Sequence, residues 1–181
     1  MSMVYMEDRR VMATMLPAAR SVLRDPDAFF RGMPTTARYQ LGILLLTAIT
    51  MVSVFLAYPF YDALLMFLYP VIWVGTVVGT VVWAHYLSWG VRRFSDGRMA
   101  PTNAFLLSSY ASVPLVAAWI PWLGTVAFFW SLYLMWRGVV VRSGMRPGVA
   151  LALIGLPMIL PVVLLLGLLI AFPQLRALVS A

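Results

Sequence analysis

The chain has 181 residues, of which 63% are hydrophobic and 10% are charged. Because soluble domains carry about 25% charged residues, this composition excludes an ordinary water-soluble protein. The absence of cysteine excludes disulfides, thiolate metal sites and a cysteine nucleophile. All thirteen basic residues are arginines, a usage typical of a GC-rich prokaryotic genome. They lie beside apolar segments, so we expect anionic lipid headgroups as their partners and no nucleic acid.

Residues 1–38 are the first predicted unit, a segment with two short helices. The first helix ends near Arg24. Asp25 and Pro26 are typical of an N-cap and a first helical residue, and Gly32 ends the second helix. No apolar h-region with a cleavage site opens the chain, so we expect no signal peptide here.

This helix pair has the composition of a segment that lies in a membrane interface. Apolar and aromatic side chains are mixed with arginines, so the rings can enter the headgroup layer while the guanidinium groups meet phosphates. A loosely ordered tail with incidental aromatic residues is the alternative. The lipid- or partner-contacting residues predicted in this segment are Arg20, Arg24, Phe29 and Phe30.

Four blocks without a formal charge follow, at residues 39–61, 63–91, 99–136 and 147–175. A helix needs about 20 apolar residues to cross the hydrocarbon core. As one helix the third block would be about 57 Å long, so we expect a break at Pro121 and Gly124. The sequence thus predicts an all-α membrane domain over residues 39–172 with a tail at 173–181. Its five transmembrane helices are expected at about 39–58, 68–91, 103–120, 122–140 and 149–172.

The arginines predict the orientation of these helices. With five spans, twelve of the thirteen fall on one side of the membrane and only Arg176 falls on the other. Because positive residues concentrate on the cytoplasmic side, we expect a multi-pass protein of the cell membrane with a cytoplasmic N-terminus and an external C-terminus. Arg92 and Arg93, at the cytoplasmic end of the second span, are also predicted to contact lipid or a partner.

Residues suited to catalysis are few. His85 is the only histidine, no carboxylate lies in a predicted span, and Walker, GxSxG and HExxH motifs are absent. We therefore expect no enzyme, no metal site and no cofactor. An intramembrane carboxylate of the kind used in proton-coupled transport is also missing.

A GxxxG pattern lies in the second predicted span. Gly75 and Gly79 permit close approach of two helices in lipid. The partner is either a second copy of the chain or another span of the same chain, and the pattern alone does not distinguish them.

Polar residues inside the spans form a second candidate feature. His85 is either a titrating, ligand-binding group or an interfacial hydrogen-bonding residue. Ser108, Tyr110 and Ser112 lie just before Pro114, which removes a backbone donor. They form either a hinge with a small polar cavity or a kinked helix whose hydroxyls bond internally.

Three segments, in this order, resemble the Yip1 family. Residues 23–30 (LRDPDAFF) are similar to the family's entry segment, an Asn/Ser-Pro followed by a Phe pair. Residues 109–114 (SYASVP) are similar to its third-span motif, Tyr-small-x-Ser-x-Pro, shortened by about one residue. Residues 130–131 with 136–139 are similar to its fourth-to-fifth region. The resemblance covers most of residues 20–172.

The resemblance implies a non-enzymatic integral membrane protein. Eukaryotic members act in vesicle trafficking and bind small GTPases through a cytoplasmic N-terminal region. The N-terminal segment here is short and has no extended acidic or proline-rich tail, so that role is not expected to transfer. We expect a protein that organises lipids, a protein partner or copies of itself in a prokaryotic plasma membrane.

Two other functions are compatible with the sequence. The first is a small transporter or channel for lipid or a neutral solute, which requires a continuous polar cavity between the helices. The second is an accessory subunit of a membrane complex, which requires a stoichiometric partner.

Overall fold

Among the residues that the computed structural model describes, every element of secondary structure is a helix. The described backbone comprises residues 11–33, 38–57, 64–97 and 99–171, with side chains described except at 11–15, 64–66, 121 and 161–171. The helices are α1 (Val11–Arg24), α2 (Pro26–Gly32), α3 (Tyr39–Ala57), α4 (Leu64–Phe94), α5 (Pro101–Ala111), a 3₁₀ helix (Val113–Ala117), α6 (Pro121–Ser143) and α7 (Pro147–Ala171). The predicted all-α class is confirmed for these residues, and the predicted tail at 173–181 lies outside them.

Three of the described helices are long and apolar enough to cross a membrane, at Tyr39–Ala57, Phe67–Phe94 and Trp122–Ser143. Pro147–Leu160 of α7 adds a shorter apolar stretch within the same described ranges. The structure therefore supports part of the five-span prediction. The largest difference between prediction and structure lies in the third span.

The third predicted span is divided into two helical segments. We expected a continuous helix at 103–120, whereas α5 ends at Ala111 and a 3₁₀ helix follows. Pro114 has no N–H to donate to the carbonyl of Tyr110, so α-helical bonding cannot continue regularly through this point. Leu115 N instead donates to Ser112 O at 3.0 Å, the shorter spacing of a 3₁₀ turn.

One end of the bundle collects the arginines, and we call it the arginine end. Here α4 and α6 end, whereas α3, α5 and α7 begin. Ser88 Oγ in α4 donates to Met99 O before α5 at 2.7 Å. Trp136 Nε1 in α6 donates to Pro147 O at the start of α7 at 2.9 Å. Four arginines mark the helix ends and connections here: Arg92, Arg93, Arg142 and Arg146.

The core is built around α5, because its residues from Asn103 to Ala111 are all buried. Helices α3, α4 and α6 pack around it. The closest approach to α3 occurs at Gly42, where a methyl group would lie 2.5 Å from Phe105 Cε1 and 2.8 Å from Ser109 Oγ. Glycine at this position therefore allows the two helices to touch.

Gly42 and Gly79 provide a matched test of this packing. Gly42→Ala should lower the free energy of unfolding by about 1–3 kcal/mol, because the added methyl group overpacks the contact with Phe105. Gly79→Ala should cause no loss, because nothing lies within 4 Å of a Cβ at that position. Thermal unfolding in detergent micelles measures both. Equal effects of the two substitutions would contradict the proposed α3–α5 contact.

Candidate functional site

Helix α2 is defined by local sequence signals that the structure confirms. The carboxylate of Asp25 accepts a hydrogen bond from Ala28 N at 3.0 Å, as expected of an N-cap. Pro26 occupies the first helical position, where its missing N–H costs nothing. The helix finishes at Gly32, and Met33 N donates to Phe30 O at 3.4 Å. The resulting helix has only seven residues.

The aromatic pair of α2 points into the protein. Phe29 and Phe30 are both 0% exposed. The ring of Phe29 packs edge-to-face against Tyr110 of α5, with 4.8 Å between ring centroids. This placement differs from the expectation that both rings contact lipid or a partner. The physical reason is that helix α2 packs against α6, which turns its apolar side toward the bundle.

A bidentate ion pair joins α2 to α6. Arg137 Nε donates to Asp27 Oδ1 at 2.8 Å, and Arg137 Nη2 donates to Asp27 Oδ2. The hydrogen bonds from Arg137 hold the pKa of Asp27 below its ordinary value, and the charge of Arg31 contributes in the same direction. Both side chains are only about one-quarter exposed, at 27% and 28%, so water screens the pair less than it would a surface pair.

A second arginine of α6 fixes the end of α2. Arg142 Nη1 donates to the carbonyl oxygen of Met33 at 2.8 Å. This bond satisfies a carbonyl that follows the last turn of the helix. We call Tyr110, Arg137 and Arg142 together the α2 docking site.

The α2 docking site brings together the three segments that resemble the Yip1 family. Phe29 of residues 23–30 contacts Tyr110 of residues 109–114. Asp27 of the first segment pairs with Arg137 of residues 136–139. Three motifs that are far apart in the sequence are therefore parts of one packing arrangement.

Asp27 and Arg137 were not among the predicted site residues. They are separated by 110 positions, so no local spacing rule relates them. The available signal was that Arg137 falls inside the predicted span 122–140, where an unpaired charge is costly. That cost indicates the need for a partner but does not identify it.

The polar candidates on α4 and α5 do not form one described site. His85 is exposed on α4, and its Nδ1 lies 2.9 Å from Val81 O of the same helix. Ser112 Oγ donates to Ser108 O at 2.9 Å, as the alternative of internally bonded hydroxyls predicts. Tyr110 is 2% exposed and belongs to the α2 docking site. Ser108 Oγ is buried without a hydrogen-bond partner among the described atoms.

Gly75 and Gly79 lie on an exposed side of α4. Nothing in the described part of the chain lies within 4 Å of a Cβ built at either residue. The interpretation as a packing contact between spans of one chain is thus not seen, and contact with a second copy stays a hypothesis. Close packing occurs instead at Gly42 and at Gly90, which Leu153 of α7 contacts.

Helix α1 has one face against the protein and one face open. Ala18 and Val22, one turn apart, are completely buried. The open face carries two leucines and two of the predicted contact arginines, all of them exposed: Leu16, Arg20, Leu23 and Arg24. Apolar and cationic side chains on one helix face are typical of a helix in the headgroup layer of a membrane.

The last turns of α4 have a similar composition. Arg92 and Arg93 are both exposed. Trp89, one turn earlier, is 52% exposed. Tryptophan beside arginine is typical of the level at which a helix leaves the hydrocarbon. The six predicted contact residues therefore divide into four exposed arginines and a buried pair of phenylalanines.

No group of three or more His, Cys, Asp and Glu side chains that could hold a metal ion occurs within the described ranges.

The comparisons with known proteins identify one family. A family model described as the Yip1 domain matches residues 20–171, which is most of the chain. Comparisons with the curated proteins and with the solved structures give no match.

The buried position of Phe29 can be tested by truncation. Phe29→Ala should lower the free energy of unfolding by about 3–5 kcal/mol, because it removes a fully buried ring. Phe129→Ala is the matched control, since that ring is 64% exposed on α6. Thermal unfolding in detergent micelles should show a large loss only for Phe29→Ala. A small effect at Phe29 would mean that its ring faces lipid.

The ion pair predicts a pH-dependent stability difference. Asp27→Asn should destabilise the protein by about 1 kcal/mol near neutral pH. The folded pKa of Asp27 is lowered from 3.8, so its contribution is complete above that value and is lost as the pH falls through the lowered pKa. The difference in melting temperature between wild type and Asp27→Asn should therefore be constant above about pH 5 and vanish in stronger acid.

Asp96→Asn is the control for this experiment, because Asp96 is an exposed carboxylate in the turn after α4. It should track the wild type at every pH. A difference for Asp27→Asn that persists unchanged in strong acid would contradict the ion pair as its cause.

Proposed function

The chain belongs to the Yip1 family of membrane proteins, and on this premise we propose that it is a non-enzymatic lipid-organising protein. Its arginine end binds anionic headgroups. The observation that carries the proposal is the open face of α1, where Leu16 and Leu23 accompany Arg20 and Arg24. Leucines in the acyl boundary and arginines at the phosphates together bind an anionic surface more tightly than either alone.

The membrane arrangement that we propose has five crossings. Helix α5 and the 3₁₀ helix together extend about 27 Å, which is close to a hydrocarbon thickness of about 30 Å. Helix α7 extends about 37 Å. These lengths support crossings by both segments in addition to the three long apolar helices.

The proposed orientation places the arginine end in the cytoplasm of a prokaryotic cell. Positive residues are retained on the cytoplasmic side during insertion, and the cytoplasmic leaflet carries the anionic lipids that arginines attract. Both arguments support a cytoplasmic N-terminus in the plasma membrane.

Headgroup binding by the arginine end is tested by charge neutralisation. The variant carrying Arg20→Gln, Arg24→Gln, Arg92→Gln and Arg93→Gln should reduce the enrichment of phosphatidylglycerol over phosphatidylcholine by at least about tenfold. Each arginine near an anionic surface contributes about 1 kcal/mol. Native mass spectrometry of protein extracted from mixed vesicles measures the co-purified lipid.

Arg176→Gln is the control for position, because it removes one positive charge at the arginine that the sequence assigns to the other side. It should leave the enrichment unchanged. The proposal is wrong if the wild type shows no preference for the anionic lipid, or if the control variant loses as much as the quadruple variant.

A further inference from the structure

An apolar groove of about 830 Å³ lies between α4 and α7 at the arginine end. Its volume is within the range of about 300–1,000 Å³ that is typical of small-molecule sites. On α4 the walls are aromatic, formed by Tyr86, Trp89 and Phe94. On α7 they are aliphatic and begin with small residues at Gly148 and Ala152.

The groove exists because α4 and α7 touch at one level and separate beside it. Leu153 packs on Gly90, and Tyr86 OH donates to Leu153 O at 2.9 Å. This hydrogen bond occupies the hydroxyl of Tyr86 and leaves its ring on the groove wall. Closer to the start of α7, nothing in the described chain lies within 4 Å of a Cβ at Gly148. The small residues there keep the groove open.

One arginine shares the groove-lining face of α4. Arg93 follows Trp89 by four residues and Tyr86 by seven, and these spacings put the three on one side of a helix. Arg92 is on a different side of the helix. Both arginines are exposed. Arg146 is also exposed, immediately before α7.

We propose that this groove binds one acyl chain of an anionic phospholipid whose phosphate contacts Arg93. The inference rests on the proposed function and assigns it a discrete site. Charge complementarity selects this occupant: a long apolar cleft with a cation at its opening matches an amphiphile that has a negative head. Trp89 and Phe94 are both more than half exposed, and they flank the level at which the glycerol and the phosphate would lie.

The test measures lipid retained by the full-length protein. The protein is extracted from vesicles of equal phosphatidylglycerol and phosphatidylcholine, washed in detergent, and examined by native mass spectrometry. The wild type should retain one phosphatidylglycerol per chain after the surrounding lipids have been removed. Two pairs of variants then separate the groove from general attraction to the arginine end.

The first pair of variants concerns the headgroup. Arg93→Gln should weaken the binding of phosphatidylglycerol about tenfold, as measured from the fraction of chains that retain it. This is the effect of losing one charge-assisted contact. Arg92→Gln removes the same charge from the adjacent position and should weaken binding less, about fivefold at most, because it loses only the general attraction of an arginine near an anionic surface.

The second pair of variants concerns the acyl chain. Ala152→Phe places a ring in the groove and should abolish retention of the lipid. Leu151→Phe places the same ring on a neighbouring exposed position of α7 that does not line the groove. It should retain the lipid as the wild type does. Unchanged melting temperatures establish that each variant is folded.

Three outcomes would overturn the groove assignment. Equal losses in Arg92→Gln and Arg93→Gln with normal retention in Ala152→Phe would show diffuse headgroup attraction, which leaves the proposed function intact. A wild-type dimer that Ala152→Phe dissociates would show that a second copy occupies the groove. A wild type without any preference for phosphatidylglycerol would remove both the site and the proposed function.

Discussion

The burial of an aromatic pair beneath an arginine–aspartate bridge fixes the N-terminal helices to the helical bundle. An isolated helix of seven residues is not stable in water, because nucleation costs more than so few hydrogen bonds return. Helix α2 therefore depends on Phe29 and Phe30 inside the core and on Asp27 at its edge. Helix α1 packs on α2 and α5, so the position of its open face depends on the same contacts. The lipid-binding surface that we propose is rigid only because α2 is docked.

The two kinds of contact at α2 differ in what they contribute. Aromatic packing supplies most of the stabilisation, because a buried ring contributes several times more than a partly exposed ion pair. The ion pair matters for α6 because it supplies Arg137 with a counter-ion. Arg137 lies in an apolar helix, and an arginine without a counter-ion would be costly there. Removing Asp27 alone would leave that cost uncompensated, whereas removing both charges together would not.

Local signals in the sequence predicted the structure well where the physics is local. The N-cap at Asp25 and the end of α2 at Gly32 follow from neighbouring residues, and the structure has both. Pro114 was a visible source of a kink, yet its effect is larger than expected. Hydropathy continues without interruption past this residue, so it suggested a continuous helix where the backbone changes to 3₁₀ geometry.

Contacts between distant segments were not predictable from one sequence. Apolar rings are favoured both in lipid and in a protein core, so hydropathy could not decide whether Phe29 faces one or the other. The same holds for glycine. The GxxxG pattern predicted a helix contact at Gly75, but the close contact occurs at Gly42 and no described residue packs on Gly75. The partner of Arg137 required knowledge of the fold. The exposure of Arg20, Arg24, Arg92 and Arg93 was easier to expect, because a charged side chain is rarely buried without a partner.

The arrangement of the arginine end depends on α2 being part of the packed core, and hydrogen–deuterium exchange tests this directly. The experiment follows the backbone amides of Phe29 and of its neighbours in the last turns of α2, in wild-type protein held in lipid nanodiscs. Phe29 N donates to Asp25 O at 3.0 Å. If α2 is docked, these amides should be protected from exchange about as strongly as the amides of the buried helix α5. Exchange as fast as in an unfolded peptide would show that α2 is not docked, and would contradict the arrangement described for the arginine end.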